Sequence, residues 1–136
     1  MNHGGFTSND WPNGLQYYCI AVAGAGAAPP VTPVDSSVQP GFPRKCNVLS
    51  TAAGEAPTRS GVGAYVITVD PSFKLAQWLD APCSVFGTPG AWAQVSVMNN
   101  VTRQLTIKVF AAAGAAADLA VGDLLVIDIK GRDSLA

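Results

Sequence analysis

Apolar residues recur with a period of two along three stretches in the second half of the chain. Ala93, Val95 and Val97 alternate with Gln94, Ser96 and Met98, and after a polar turn from Asn99 to Gln104, Leu105, Ile107 and Val109 alternate with Thr106 and Lys108. Further on, Leu125, Ile127 and Ile129 alternate with Val126, Asp128 and Lys130. Such alternation belongs to strands with one buried face. The first two stretches predict a hairpin, and the three strands together predict one shared apolar face. Gly61 to Asp70 predicts another strand, in which Tyr65, Ile67 and Val69 oppose Val66, Thr68 and Asp70. Leu15 to Ala23 is a strand candidate that is apolar on both sides, as for a strand packed on each face or lying in an interface.

Other segments give weaker patterns. Arg44 to Leu49 is a short strand candidate. Pro71 to Leu79 fits a short helix opened by Asp70 and Pro71, but Phe73, Leu75, Gln77 and Leu79 also alternate as in a strand. Pro82, Gly87, Pro89 and Gly90 punctuate a loop or bulged edge. Ala111 to Asp123 lacks a helical stripe of large residues and is expected to be a crossing loop with at most one helical turn.

Residues 1–14 form a flexible leader carrying Phe6 and Trp11, and residues 15–136 a single β domain. Within that domain, residues 24–43 contain Pro29, Pro30, Pro33, Pro40 and Pro43. Each proline lacks an N–H and fixes φ, so the segment is neither a central strand nor a helix but an extended arm. Stretched, its twenty residues would reach on the order of 60 Å. The arm is either a plain linker or a segment that orders on a neighbour.

The chain has 136 residues, 49% apolar, 8% aromatic and 12% charged, with a net charge of −1. It is long enough for one core without staples. Its charge content is about half the ~25% usual for soluble domains. The surface is therefore coated with small and neutral residues, covered by a partner, or both. No basic stripe offers itself to a phosphate backbone, which argues against nucleic acid. The apolar run from Tyr17 to Val31 is broken by glycines and prolines and is no membrane span. No signal peptide is expected, so the protein should stay in the compartment where it is made. Asn100-Val101-Thr102 matches a glycosylation sequon but is more simply a hairpin tip.

Candidate chemistry is sparse. Cys19, Cys46 and Cys83 show no metal spacing and are expected to be reduced, at least partly buried hydrophobes. General acid/base work calls for histidine or paired carboxylates, but the single histidine, His3, lies in the leader. Glu55, Asp118 and Asp123 read as solvated loop residues, the two aspartates being a weak Ca²⁺ signal. No catalytic set, cofactor or metal is expected. Trp11, Trp78 and Trp92 with Tyr17, Tyr18 and Tyr65 suit core or interface anchors, or else an aromatic platform for sugars.

At GVGAYVITVDPSF (61–73), AQVSV, LTIKVF and GAAADLAVGDLLVIDIKGRDS (114–134) the chain resembles a β module of small structural proteins of tailed phages, most of all the capsid cement or decoration proteins. The resemblance covers a little over half the chain. It implies a non-enzymatic protein on the capsid surface of a virion, made in the host cytoplasm. Its partners would be the major capsid protein and further copies of itself, as a dimer or trimer. The expected fold is an all-β, single-domain sandwich, jelly-roll-like, with an extended leader and arm. Partner contacts are expected from Phe6, Trp11, Tyr18, Val31, Val34, Val38 and Phe42. The alternatives are a carbohydrate-binding β-sandwich and a fibre or baseplate protein.

Overall fold

A computed structural model describes residues 15–31, 50, 54–71 and 77–132. Among them are eight strands and no helix: β1 (Leu15–Ala23), β2 (Thr58–Gly61), β3 (Ala64–Thr68), β4 (Gln77–Asp80), β5 (Cys83–Phe86), β6 (Trp92–Asn99), β7 (Gln104–Phe110) and β8 (Leu124–Arg132). They form two antiparallel sheets. In one, β8 is flanked by β1 on one side and by β4 and β5 on the other; the second runs β2-β3-β7-β6. β4 and β5 meet β8 at Arg132 to Lys130 and at Ile127 to Leu124 respectively, one beyond the other. Between them lies Pro82, which has no N–H to give to a ladder, although its carbonyl still accepts from Asp128 N at 2.9 Å.

The alternating residues explain why these sheets stack. Ile20, Val22, Leu125, Ile127 and Ile129 of the first sheet pack with Tyr65, Ile67, Leu105, Ile107 and Val109 of the second in one buried cluster, joined by Val69, Ala81 and Leu119. β1 is buried on both faces, Ile20 and Val22 inward and Cys19 and Ala21 outward. A strand without a polar side needs cover on each.

Several expectations are corrected. The hairpin β6–β7 and strand β8 do not share one sheet; they face each other from opposite sheets. Val97 is not on the buried face. Val95 opposes Ile107 but Val97 opposes Thr106, so the ladder slips between them. One extra residue in a period-two strand sends every later side chain to the other face, and Val97 ends up exposed. The strand expected from Gly61 is a tight β2–β3 hairpin followed by the shorter β3. Of the two alternatives left open for 71–79, Gln77–Asp80 takes the strand, and β5 occupies part of the stretch expected to be a loop or bulged edge. The leader, Arg44 to Leu49 and residues 32–43 of the arm lie outside the described residues.

The cysteines are not all reduced. Cys19 is disulfide-bonded and Cys83 is a free thiol. Cys46 lies outside the described residues. Burial, with the charge of Asp128 next, pushes the Cys83 thiol up to about 11. Cys83 should therefore resist thiol reagents at pH 8 in the folded protein. A reductant should lower the denaturation midpoint of the native chain and leave that of a Cys19→Ser variant unmoved, since a cross-link acts by restricting the unfolded chain. Equal sensitivity of both proteins to the reductant would refute this.

Candidate functional site

Every strand direction in the sandwich brings particular loops to one end. β1, β5 and β7 finish there, and β3, β6 and β8 begin there, because Ala23 and Phe86 both oppose Leu124, Ala64 opposes Lys108 and Trp92 opposes Phe110. Four connections therefore meet: residues 24–31 after β1, the β2–β3 turn, residues 87–91 between β5 and β6, and residues 111–123 between β7 and β8.

Two aspartates in the last connection bind the four together. Arg59 donates to Asp118 through both Nε and Nη2 at 2.9 Å, while Gly63 N donates to Oδ1 at 2.9 Å and the Tyr65 hydroxyl lies 3.3 Å from it. The Tyr65 oxygen in turn accepts from Leu119 N at 2.8 Å. This paired fork, above all the Arg59 hydrogen bonds, holds the Asp118 carboxyl below the usual carboxylate range. Gly63 sits at φ 63°, and a Cβ there would lie 2.5 Å from the Val109 carbonyl oxygen, so glycine is required.

Asp123 makes the second tie. It is 5% exposed and accepts from Thr88 N at 2.8 Å and from Ala120 N at 2.9 Å, with the Thr88 hydroxyl 2.8 Å from Oδ2. Its backbone carbonyl accepts from Gly24 N at 2.9 Å, and Gly26 N reaches the Leu119 carbonyl at 3.0 Å. Neither aspartate is a solvated loop residue, in contrast to the sequence expectation. Glu55 differs as well: it pairs with Arg103 at 2.9 Å and accepts from the Ser50 hydroxyl, far from this end. Among the described residues no three His, Cys, Asp or Glu could hold a metal.

What these ties present to solvent is uncharged. Residues 24–31, 61–63, 86–92 and 111–122 contain one ionisable side chain, Asp118, and it is neutralised by Arg59. On the same end Val31, Val62, Phe86, Trp92 and Val121 are exposed, Val121 to 82%. Between these large side chains lie exposed small residues, chiefly 112–116. Trp92 and Phe110 stack at 4.3 Å between ring centroids on the outer face of the second sheet, one row from the exposed pair Gln94 and Lys108.

Of the expected contact residues, Val31 is at this end, bridged to Ala23 by hydrogen bonds of 2.7 and 2.9 Å. Tyr18 is half-buried and packs against the core. Phe6, Trp11, Val34, Val38 and Phe42 lie outside the described residues, as does His3, and the side chain of Trp78 is likewise not described. Val62, Phe86 and Val121 were not singled out from sequence. Their signal was the lack of charge in the runs around them, which needed the strand directions to become one surface. Compared with protein-family models, with curated proteins and with solved structures, the chain matches none.

Proposed function

We propose that this chain is a non-enzymatic assembly protein of a tailed-phage virion: a cement or decoration protein that binds the lattice of major capsid protein, reinforces the head, and acts as a homo-oligomer at the capsid surface. The observation that carries the reading is the uncharged loop end. Monomeric soluble proteins rarely expose contiguous apolar patches beyond a few hundred Å², and an end with five large exposed apolar side chains and no exposed unpaired charge suits cover by protein. The resemblance at 61–73 and 114–134 directs that general reading to the phage head.

The finer fold is proposed as jelly-roll-like, with leader and arm extending from it. The nested pairing of β1 with β8 and of β3 with β7 supports this, because a jelly roll is wound by pairing a chain's outer strands and then the next ones in. Leader and arm supply the capsid contacts through Phe6, Trp11, Val31, Val34, Val38 and Phe42.

One observation favours a second reading. An exposed Trp92 beside Gln94 and Lys108 is the combination of aromatic surface and polar heads that a sugar-binding sheet face needs. A single experiment separates the two. Native protein and a variant with residues 32–43 replaced by a Gly/Ser linker are added to DNA-filled heads stripped of cement, and separately to host-wall polysaccharide. The native protein should bind heads stoichiometrically and resist salt well above ~0.15 M, where exposed ion pairs are already screened over ~8 Å, and the linker variant should bind them more weakly. Binding to polysaccharide alone, lost in Trp92→Ala, would replace the cement reading with the sugar reading.

A further inference from the structure

We infer that the loop end is the chain's own oligomer interface, the surface on which a second copy seats. The inference rests on reading that end as a protein-docking surface and names its occupant.

Charge is the first argument. In an isologous contact one surface meets itself, so any net charge would meet its like. The surface of the loop end exposes none to meet: Asp118 is neutralised by Arg59, and the Asp123 carboxylate is buried and hydrogen-bonded by Thr88 and Ala120. The two ties that knit the loops thus also keep both carboxylates away from a facing copy, Asp118 by pairing it with Arg59 and Asp123 by burying it.

Shape is the second. A self-complementary face must carry both projections and flats. Here Val62, Phe86 and Val121 project, and the alanine and glycine stretch 112–116 supplies a flat against which a copy's side chains can lie close to backbone. A foreign partner would need only one of these. The four connections together match the roughly 20–30 residues that each side of a standard interface contributes.

Availability is the third. A virion protein meets other copies of itself at the site of synthesis before it meets a completed lattice, and an end this apolar would not wait uncovered.

The test uses the full chain in sedimentation equilibrium over a range of micromolar concentrations, with two single-charge variants. Val121→Asp places a carboxylate on the loop end, whereas Val101→Asp makes the same change at a side chain 87% exposed on the hairpin at the opposite end. The native chain and Val101→Asp should associate alike. Val121→Asp should keep the native far-ultraviolet spectrum but associate at least about a hundredfold more weakly, because like charges placed together across an interface cost several kcal/mol. A monomeric native chain, undiminished association of Val121→Asp, or equal weakening by Val101→Asp would each overturn the inference. Head binding measured on the same samples keeps the two proposals apart. A chain that binds heads as a monomer ends this inference and spares the assembly reading; one that self-associates through this end but never binds heads does the reverse.

Discussion

Ile107→Asp is expected to abolish the folded state. Ile107 has no exposed surface and sits at the middle of β7, opposed by Tyr65 on one neighbouring strand and Val95 on the other. Losing its burial costs about 1.5–3 kcal/mol, and a carboxylate held between two sheets adds a desolvation penalty of several kcal/mol. Against a net stability of about 5–15 kcal/mol for a domain of this kind, the sum removes most or all of it. Thr106→Asp provides the contrast, since Thr106 points to the outer face between Val66 and Val97 and is only half-buried. It should cost no more than about 1 kcal/mol. Urea unfolding followed by circular dichroism measures both, and similar losses for the two substitutions would mean that the register of β7 is wrong.

Asp123→Ala is expected to be the most damaging change outside the core. It removes the acceptor of two main-chain N–H groups, at Thr88 and Ala120, and of the Thr88 hydroxyl; the carboxylate itself is buried, while Thr88 and Ala120 lie at the surface. Hydrogen bonds to charged groups contribute about 1.5–3 kcal/mol each, but donors on exposed residues regain water once the acceptor is gone, so the full penalty of a buried orphan does not apply. A loss of about 2–3 kcal/mol follows. The substitution should also speed hydrogen exchange at Thr88 and Ala120 more than at Ile107. Asp123→Asn retains one acceptor oxygen but turns an NH₂ toward a donor, so it should fall between native and Ala. Unaltered exchange at Thr88 in the Ala variant would show that the β5–β6 connection is held by something else. Gly87 belongs to the same arrangement: at φ 125°, a Cβ there would lie 2.3 Å from Asp123 Oδ1, so the carboxylate reaches Thr88 only across a residue without a side chain.

How far the chain could be read in advance depended on the distance over which each feature is encoded. The buried faces of β3, β7 and β8 were legible because period-two alternation is local, and Tyr65, Ile67, Leu105, Ile107, Val109, Leu125, Ile127 and Ile129 are all in the core. Val97 was misplaced because a bulge after Val95 leaves no mark in composition. β5 was hidden by its own brevity, four residues between Pro82 and Gly87, where the punctuation outweighs the pattern. The aspartates were the hardest. Asp118 depends on Arg59 and Tyr65, more than fifty residues earlier, and Asp123 on Thr88, so nothing adjacent in the chain distinguishes either from an ordinary turn residue. The low overall charge did point to an extended surface without exposed charge. Its location did not follow, since four uncharged connections become one end only when the strand directions are known.

The pairing of β1 with β8 also bears on how fast this chain reaches its native state. Leu15 opposes Arg132, and on the order of a hundred residues must be looped before that rung can form. β8 is moreover the strand that β1, β4 and β5 all lean on, so none of the three has a ladder until the most distant segment arrives. The β6–β7 hairpin, closed by a short turn in which Asn99 Oδ1 accepts from Val101 N and Thr102 N at 3.0 and 3.1 Å, is under no such constraint. Local pairs form in microseconds, whereas folds dominated by remote pairings take milliseconds to seconds. The β6–β7 hairpin is therefore what exists early; the β3–β7 rungs, like those of β5 with β8, span about forty residues and form later, and the β1–β8 rungs are the closing, rate-setting event.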